Sequence, residues 1–432
     1  MIFRPTLDHP PRQSHVLRTA ALAAALLVSA SLQAAELGED VQGLLDIART
    51  QNPELALMRA EAEAAGQRVQ PAGALPDPLL RVELMNVNNY GNDAGFNLLP
   101  NKVGETRYTL MQMLPWPGKL ELRRGVAQAD ARQAQARTEA AWNELAMRIK
   151  TAYARYYLAA GNERLVLEIL DLMKRIEQIA QVRYAGGLVV QQDAIRAQLE
   201  QTTMRAELIM LESEKRQQRA RLNALLSREP GAPLGEPRAL RPLPPPAALD
   251  VPDLAQRARA SNPQLVAEEA RLASAEKSRE LTLRNRYPDF SVGLQPTQMG
   301  SRITSWGVMF EMNIPLQQTT RRSQEAEAQA MVTAARARWQ NVANQLVGEL
   351  GETVAMLQAA RQTEALVSNQ TLAQSELSLR SAIAAYENGR LDFTALLEAQ
   401  REIRKARQEQ LKAQAEAQVR LAEIERIVGE AL

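Results

Sequence analysis

The sequence predicts a mostly α-helical chain with a small β part, organised as two tandem repeats of long helices, each carrying a β-hairpin. Three observations lead there. Two very long runs, Lys119 to Tyr184 and Thr320 to Tyr386, contain no proline and are rich in Ala, Gln, Glu, Arg and Leu, residues that favour helix. Short segments in both halves alternate apolar and polar residues with a period of two. A series of motifs recurs in the same order roughly 200–212 positions apart, the mark of an internal duplication.

The N-terminal segment reads as a leader. Arg12 and Arg18 precede an apolar run from Ala20 to Ala30, followed by small and polar residues to Ala35. A run of about 11 residues is too short to span a bilayer, which takes about 20. Residues 1–35 are therefore expected to be a signal peptide, cleaved near Ala34 or Ala35. The leader carries Arg4, Arg12, Arg18 and Asp8, and the whole chain is +2, so the mature chain is near neutral. No clustered basic face supports nucleic-acid binding.

Both histidines, His9 and His15, lie in the leader, and the chain has no Cys. The mature chain thus lacks the residues for a Ser-His-Asp or Cys-His catalytic set, or for a thiolate or imidazole zinc site. Met111 and Met113 stand two apart among 14 methionines. Methionine is more often a packing residue than a soft-metal ligand, so no metal site and no cofactor are expected.

Each half follows one plan. Asn52-Pro53 and Asn262-Pro263 mark a break before a helix, Leu55 to Val69 and Leu265 to Leu283. Two strand-like segments come next, then the long run, a Gly-containing break, and a last helix, Gln191 to Leu226 and Phe393 to Val428. Leu114-Pro115 is echoed by Ile314-Pro315, and Tyr184-Ala185-Gly186-Gly187 by Tyr386-Glu387-Asn388-Gly389. A run of about 66 residues would extend roughly 100 Å as a helix, too long for one compact domain, so a coiled coil, bundle or tube is expected. Gly161-Asn162 is a candidate interruption of the first run; the second has Gly348 and Gly351 elsewhere. Proline-rich residues 230–250 read as a linker between a first repeat, 36–229, and a second, 251–432.

The strands carry a membrane pattern. Phe290, Val292 and Leu294 alternate with Ser291, Gly293 and Gln295, and Trp306, Val308 and Phe310 with Ser305, Gly307 and Met309. The first pair is less regular: Leu80, Val82 and Leu84 against Arg81 and Glu83, then Tyr108 and Leu110 against Arg107 and Thr109. Tyr90, Phe96, Tyr108, Trp116, Tyr287, Phe290, Trp306 and Phe310 concentrate here, as interfacial aromatic girdles do. Residues 87–104 and 297–302 are expected as loops. Four strands cannot close a membrane barrel, since barrels begin at about eight, and an open edge in lipid is not viable. Strands that span a membrane would require at least two chains to share one barrel.

Three stretches give the chain a resemblance to the TolC-like outer-membrane efflux protein family (outer membrane factors), over essentially the whole mature sequence. They are Gln112-Met113-Leu114-Pro115-Trp116-Pro117-Gly118-Lys119-Leu120 at a strand-to-helix passage, Tyr184 to Asp193, and Tyr386 to Phe393. The Pro115-Trp116-Pro117-Gly118 passage looks more like the heavy-metal efflux branch than the multidrug branch. The resemblance implies a homotrimer with a shared 12-stranded transmembrane β-barrel above an α-helical barrel that narrows at its periplasmic helix tips. It also implies an outer-membrane location in a Gram-negative bacterium, a periplasmic membrane-fusion adaptor, and an inner-membrane pump of the resistance-nodulation-division type. Gly187, Leu188, Asp193, Gly389, Arg390 and Leu391 fall at the tips that would meet the adaptor. Acidic residues ring the closed aperture of family members six and nine positions after the second tip glycine; here those positions are Ala395 and Glu398, so only one ring is acidic. Glu398, with Tyr386 bracing the tip, is the expected gate. The absence of Cys departs from relatives that are lipid-anchored.

The expected function is a passive exit duct for small solutes, heavy-metal cations among them, and not an enzyme. Alternatives are a multidrug or type I secretion duct, a periplasmic coiled-coil scaffold, and, without a motif in its favour, a carboxylate enzyme.

Overall fold

The computed structural model describes residues 37–87 and 95–432; the expected leader, Tyr90 and part of the loop after Val87 lie outside them. The described residues begin with helices α1 (Val41–Gln51) and α2 (Pro53–Gln67), with one further helical turn at Val69–Ala72. Strands β1 (Leu79–Met85) and β2 (Glu105–Leu114) follow, then the long helix α3 (Lys119–Ala185) and α4 (Gln191–Leu225). The second half repeats the order: α5 (Val251–Ser261), α6 (Pro263–Arg284), β3 (Phe290–Met299), β4 (Arg302–Met312), α7 (Gln318–Leu366), α8 (Leu372–Glu387) and α9 (Phe393–Val428). No described helix is long and apolar enough to cross a membrane.

The Asn-Pro echo has a structural cause. Asn52 caps α2 by accepting from the Glu54 and Leu55 amides at 2.9 and 3.3 Å, and its Nδ2 donates to the Leu225 carbonyl at 2.9 Å. Asn262 caps α6 in the same way and donates to the Ile427 carbonyl at 2.7 Å. Each buried asparagine thus satisfies the start of one helix and the end of another, tying the last helix of each repeat to its first corner. Proline at the first helical position supplies the fixed φ that helix entry requires.

The four strands form one antiparallel sheet in the order β1-β2-β3-β4, so the hairpins of the two repeats are joined edge to edge through β2 and β3. Leu80, Leu110, Leu294 and Val308 lie in register across it. With Val82, Val292, Trp306 and Phe310 they make a single apolar face, exposed in the protomer; Val308 is 78% and Trp306 70% exposed. The opposite face bears Arg81, Glu83, Arg107, Thr109 and Gln295, with Arg107 paired to Glu105 at 3.1 Å. The 297–302 loop is shorter than the sequence indicated. β3 and β4 run through to Met299 and from Arg302, joined by Gly300-Ser301, and Gly300 takes φ +58°. Glycine carries no Cβ penalty there, which allows so tight a turn.

The helix α3 is unbroken over 67 residues, so Gly161-Asn162 does not interrupt it. A Cβ at Gly161 would approach the Leu411 side chain to 3.0 Å; the glycine permits close packing of α9, not a break. The second long run is 71 steps from Pro315 to Tyr386 against 69 from Pro115 to Tyr184. A π turn at Val367–Thr371 separates α7 from α8. Such turns absorb inserted residues without breaking the rod.

Three hydrophobic clusters stabilise the assembly. One packs α1 on α3 through Leu44, Ile149, Tyr153 and Tyr156. Its counterpart in the second half joins Leu254, Leu350, Leu357 and Ile424. The third binds the distal ends of α3, α4, α8 and α9 through Met173, Met204, Leu379 and Leu396. Residues 230–250 run irregularly along the helices, with one 3-10 turn at Pro246–Leu249: the Gly235 amide donates to the Leu37 carbonyl at 2.8 Å and the Arg238 amide to the Glu39 carbonyl at 3.1 Å. Arg241 binds Glu425 with two hydrogen bonds at 2.9 and 3.1 Å while Lys150 reaches the same carboxylate at 2.8 Å. This triad, centred on the buried Glu425, fastens the proline-rich segment to α3 and α9.

Candidate functional site

The sequence-predicted residues fall at opposite ends of the long helices. At the distal end, each helix pair turns through the same motif. Gly187 and Gly389 both adopt φ +71°. Their amides donate to Tyr184 and Tyr386 carbonyls at 2.9 and 3.0 Å, and the next amides, Leu188 and Arg390, reach back to Arg183 and Ala385 at 2.9 and 2.8 Å. This is the Schellman arrangement, which favours glycine at the left-handed position. Asp392 then caps α9 by accepting from the Ala395 amide at 2.9 Å.

The two echoed tyrosines differ. Tyr184 is 46% exposed, whereas Tyr386 is 1% exposed. Tyr386 packs edge-on against Phe393 with centroids 5.5 Å apart, and the Arg183 guanidinium lies 4.8 Å over its ring while also donating to its carbonyl. Its hydroxyl faces Asp193 at 3.4 Å. Burial, reinforced by the Asp193 charge and opposed by Arg183, pushes the phenol up to about 12. It therefore stays neutral and able to donate to Asp193 at physiological pH. The sequence-predicted Tyr386, Asp193, Gly389 and Leu391 are thus brought together at one tip corner. Leu188 and Arg390 are exposed, as is Glu398 one turn into α9, which has no ion-pair partner among the described residues.

Above this corner, α4 and α9 are joined by polar contacts that sequence reading missed. Arg196 donates to Thr394 at 2.8 Å, Arg401 to Glu200 at 2.8 Å and Arg404 to Glu207 at 2.7 Å. They stand at helical spacing on each helix, but their pairing joins residues about 200 positions apart.

At the other end, the Pro115-Trp116-Pro117-Gly118 passage turns β2 into α3. Gly118 precedes the helix at φ +89°. Trp116 stacks on Tyr287 with centroids 4.8 Å apart and 12° between planes, and meets Phe290 at 5.8 Å. Its amide donates to Asp289 at 2.8 Å. Lys119, 2% exposed, donates to the same Asp289 oxygen at 2.8 Å and to the Tyr287 carbonyl at 2.9 Å. Burial pushes the Asp289 carboxyl up, but the Lys119 and Trp116 donors outweigh it and hold it below the usual carboxylate range. The passage is thus a buried ion pair roofed by an aromatic stack, joining the first repeat to the second where sheet meets helices.

The long helices thus carry a small sheet with one exposed apolar face. The sequence profile of the outer membrane efflux protein family matches residues 44–228 and again 254–430. The chain belongs to the outer membrane efflux protein family. No curated protein sequence matches it. Among solved structures, this efflux protein superposes on the outer-membrane channel OprN with TM-score 0.76 at 20% identity, covering 92% of this chain and 93% of that one. VceC from Vibrio cholerae gives 0.76 at 18% identity, covering 90% and 96%. The Neisseria gonorrhoeae MtrE channel gives 0.69 at 17%, covering 91% and 90%. Membership of the family makes the chain an outer-membrane efflux protein and not an enzyme.

Proposed function

We propose that the chain is the exit duct of a tripartite efflux assembly. The observation that carries this reading is the four-stranded sheet with one exposed apolar face and unpaired edges at β1 and β4. In lipid such edges must be paired. Three copies supply 12 strands, above the minimum of about eight, and the apolar face would meet lipid while the polar face lines a lumen. Residues 1–35 act as the signal peptide, and repeats 36–229 and 251–432 flank the 230–250 segment. The long helices of three chains form the tunnel. Its periplasmic tips, at Gly187, Leu188, Asp193, Gly389, Arg390 and Leu391, meet a membrane-fusion adaptor that links the duct to a resistance-nodulation-division pump. Tyr386 and Asp193 hold the tip closed, and Glu398 forms a ring of carboxylates that attracts cations at the aperture. The Pro115-Trp116-Pro117-Gly118 junction sits at the membrane interface, where Trp is favoured.

The cargo in this reading is heavy-metal cations. A susceptibility panel on a strain lacking the gene tests it, comparing copper, silver, zinc, cobalt and cadmium salts with dyes, detergents and antibiotics. Sensitivity confined to metals supports the assignment. Sensitivity confined to organic compounds discards the metal cargo and leaves a multidrug duct.

A further inference from the structure

The two faces of the sheet use different apolar chemistry. On the apolar face the large side chains are Leu, Val, Phe, Tyr and Trp, with Met312 as its one methionine among the strand residues. On the polar face the apolar side chains are Leu79 and five methionines: Met85, Met111, Met113, Met299 and Met309. If methionine served here only as filler, the lipid-type face would accept it equally well. The thioethers lie instead on the face that a solute in the lumen would touch.

Three of them gather at the end of the sheet nearest the helices. Met111 pairs with Gly293, and Gly293 pairs with Met309. Two strand spacings, about 10 Å, separate the backbones of Met111 and Met309, and no side chain stands between them. Two unbranched methionine side chains can bridge that gap with an ion between their sulfurs. Met113 is two residues nearer the helices and is 45% exposed, while Met111 is 8% exposed. Glu311, on the far side of Ser291 from Met113, adds a carboxylate on the same face.

We infer that Met111 and Met309, with Met113 beside them, form a luminal site for a soft monovalent cation, of the Cu(I) or Ag(I) class. Neutral thioethers favour soft ions over the hard cations that water and carboxylates hold. Sulfur ligands without a thiolate bind reversibly, which suits a site that must pass its ion onward. The site rests on the duct reading, because only a closed barrel makes this face a lumen, and it names the class of metal that reading left open.

The test uses the full-length protein purified in detergent, with silver(I) as the probe, since it needs no reductant. Bound silver is counted by mass spectrometry after desalting, in the wild type and in Met111→Leu/Met309→Leu. Leucine keeps volume and apolarity, and migration as a heat-modifiable trimer checks assembly. The expected result is silver retained by the wild type and at least a tenfold loss in the double variant. Cells carrying that variant should lose silver tolerance while keeping tolerance of organic compounds. Wild-type protein that retains no silver, a variant that retains as much as the wild type, or a variant that loses only organic tolerance overturns the site. Single-channel current separates the two claims: a variant that conducts as the wild type does but binds no less silver defeats the site alone, whereas protein that passes no current even with the tips released by Tyr386→Phe and Asp193→Ala defeats the duct beneath it.

Discussion

Replacing Lys119 by Met should loosen the junction between sheet and helices. The Lys119 side chain is 3% exposed and Asp289 18%. Removing one partner of a wholly buried pair costs about 3–5 kcal/mol. Water reaches Asp289 in part and the Trp116 amide still donates to it, so about 2–3 kcal/mol is the expected loss. In a chain of this size that lowers the thermal midpoint by a few degrees. The near-ultraviolet circular dichroism of the Trp116–Tyr287 stack should weaken with it. The sign of the pH dependence follows from the depressed Asp289 pKa. The ion pair's contribution is full above the ordinary value of 3.8 and disappears as pH falls through the lower folded value. The gap between wild type and variant should therefore be widest near neutrality and close below about pH 4. An unchanged midpoint and an unchanged aromatic signal at pH 7 would refute the role given to this pair.

Other outcomes follow from the tips. Gln400 is fully buried and neither of its side-chain polar atoms has a partner among the described residues, so Gln400→Leu should raise the thermal midpoint, by the equivalent of about 1–3 kcal/mol; a lowered midpoint would show that the amide is satisfied. Gly389→Ala places a Cβ at φ +71° and 3.0 Å from the Arg183 guanidinium, and should destabilise the tip by roughly 1–2 kcal/mol, measured as faster local amide exchange around residues 384–392. Glu398→Ala should reduce cation selectivity of the reconstituted pore; the same reversal potential in a salt gradient would remove Glu398 from the aperture.

Much of the fold was legible because its signals are local. Proline-free runs fixed the long helices to within a few residues, and period-two alternation located all four strands. The Asn52 and Asn262 corners were visible as a repeated pair because each cap lies beside the proline that follows it. What stayed hidden joins distant residues. Lys119 and Asp289 are 170 positions apart, and Arg183 reaches Tyr386 across 203; nothing in either neighbourhood marks the partner. Gly161 misled because glycine serves close packing as well as chain breaking. Tyr184 and Tyr386 occupy the same place in the repeated motif, yet only Tyr386 is enclosed between Phe393 and Arg183, a difference made by the helix that packs against it. The polar-face methionines were readable one by one, but their alignment across Gly293 required the strand register.

The central claim is that several copies of this chain close their sheets into one water-filled pore. Its most direct test is current through a planar bilayer containing the purified protein, with assembly followed by heat-modifiable migration on a denaturing gel. The account predicts discrete conductance steps from a trimer, with low resting current that rises when Tyr386→Phe and Asp193→Ala release the tips. An elongated protein that stays out of the bilayer, or one that inserts and passes no current even with the tips released, would contradict it.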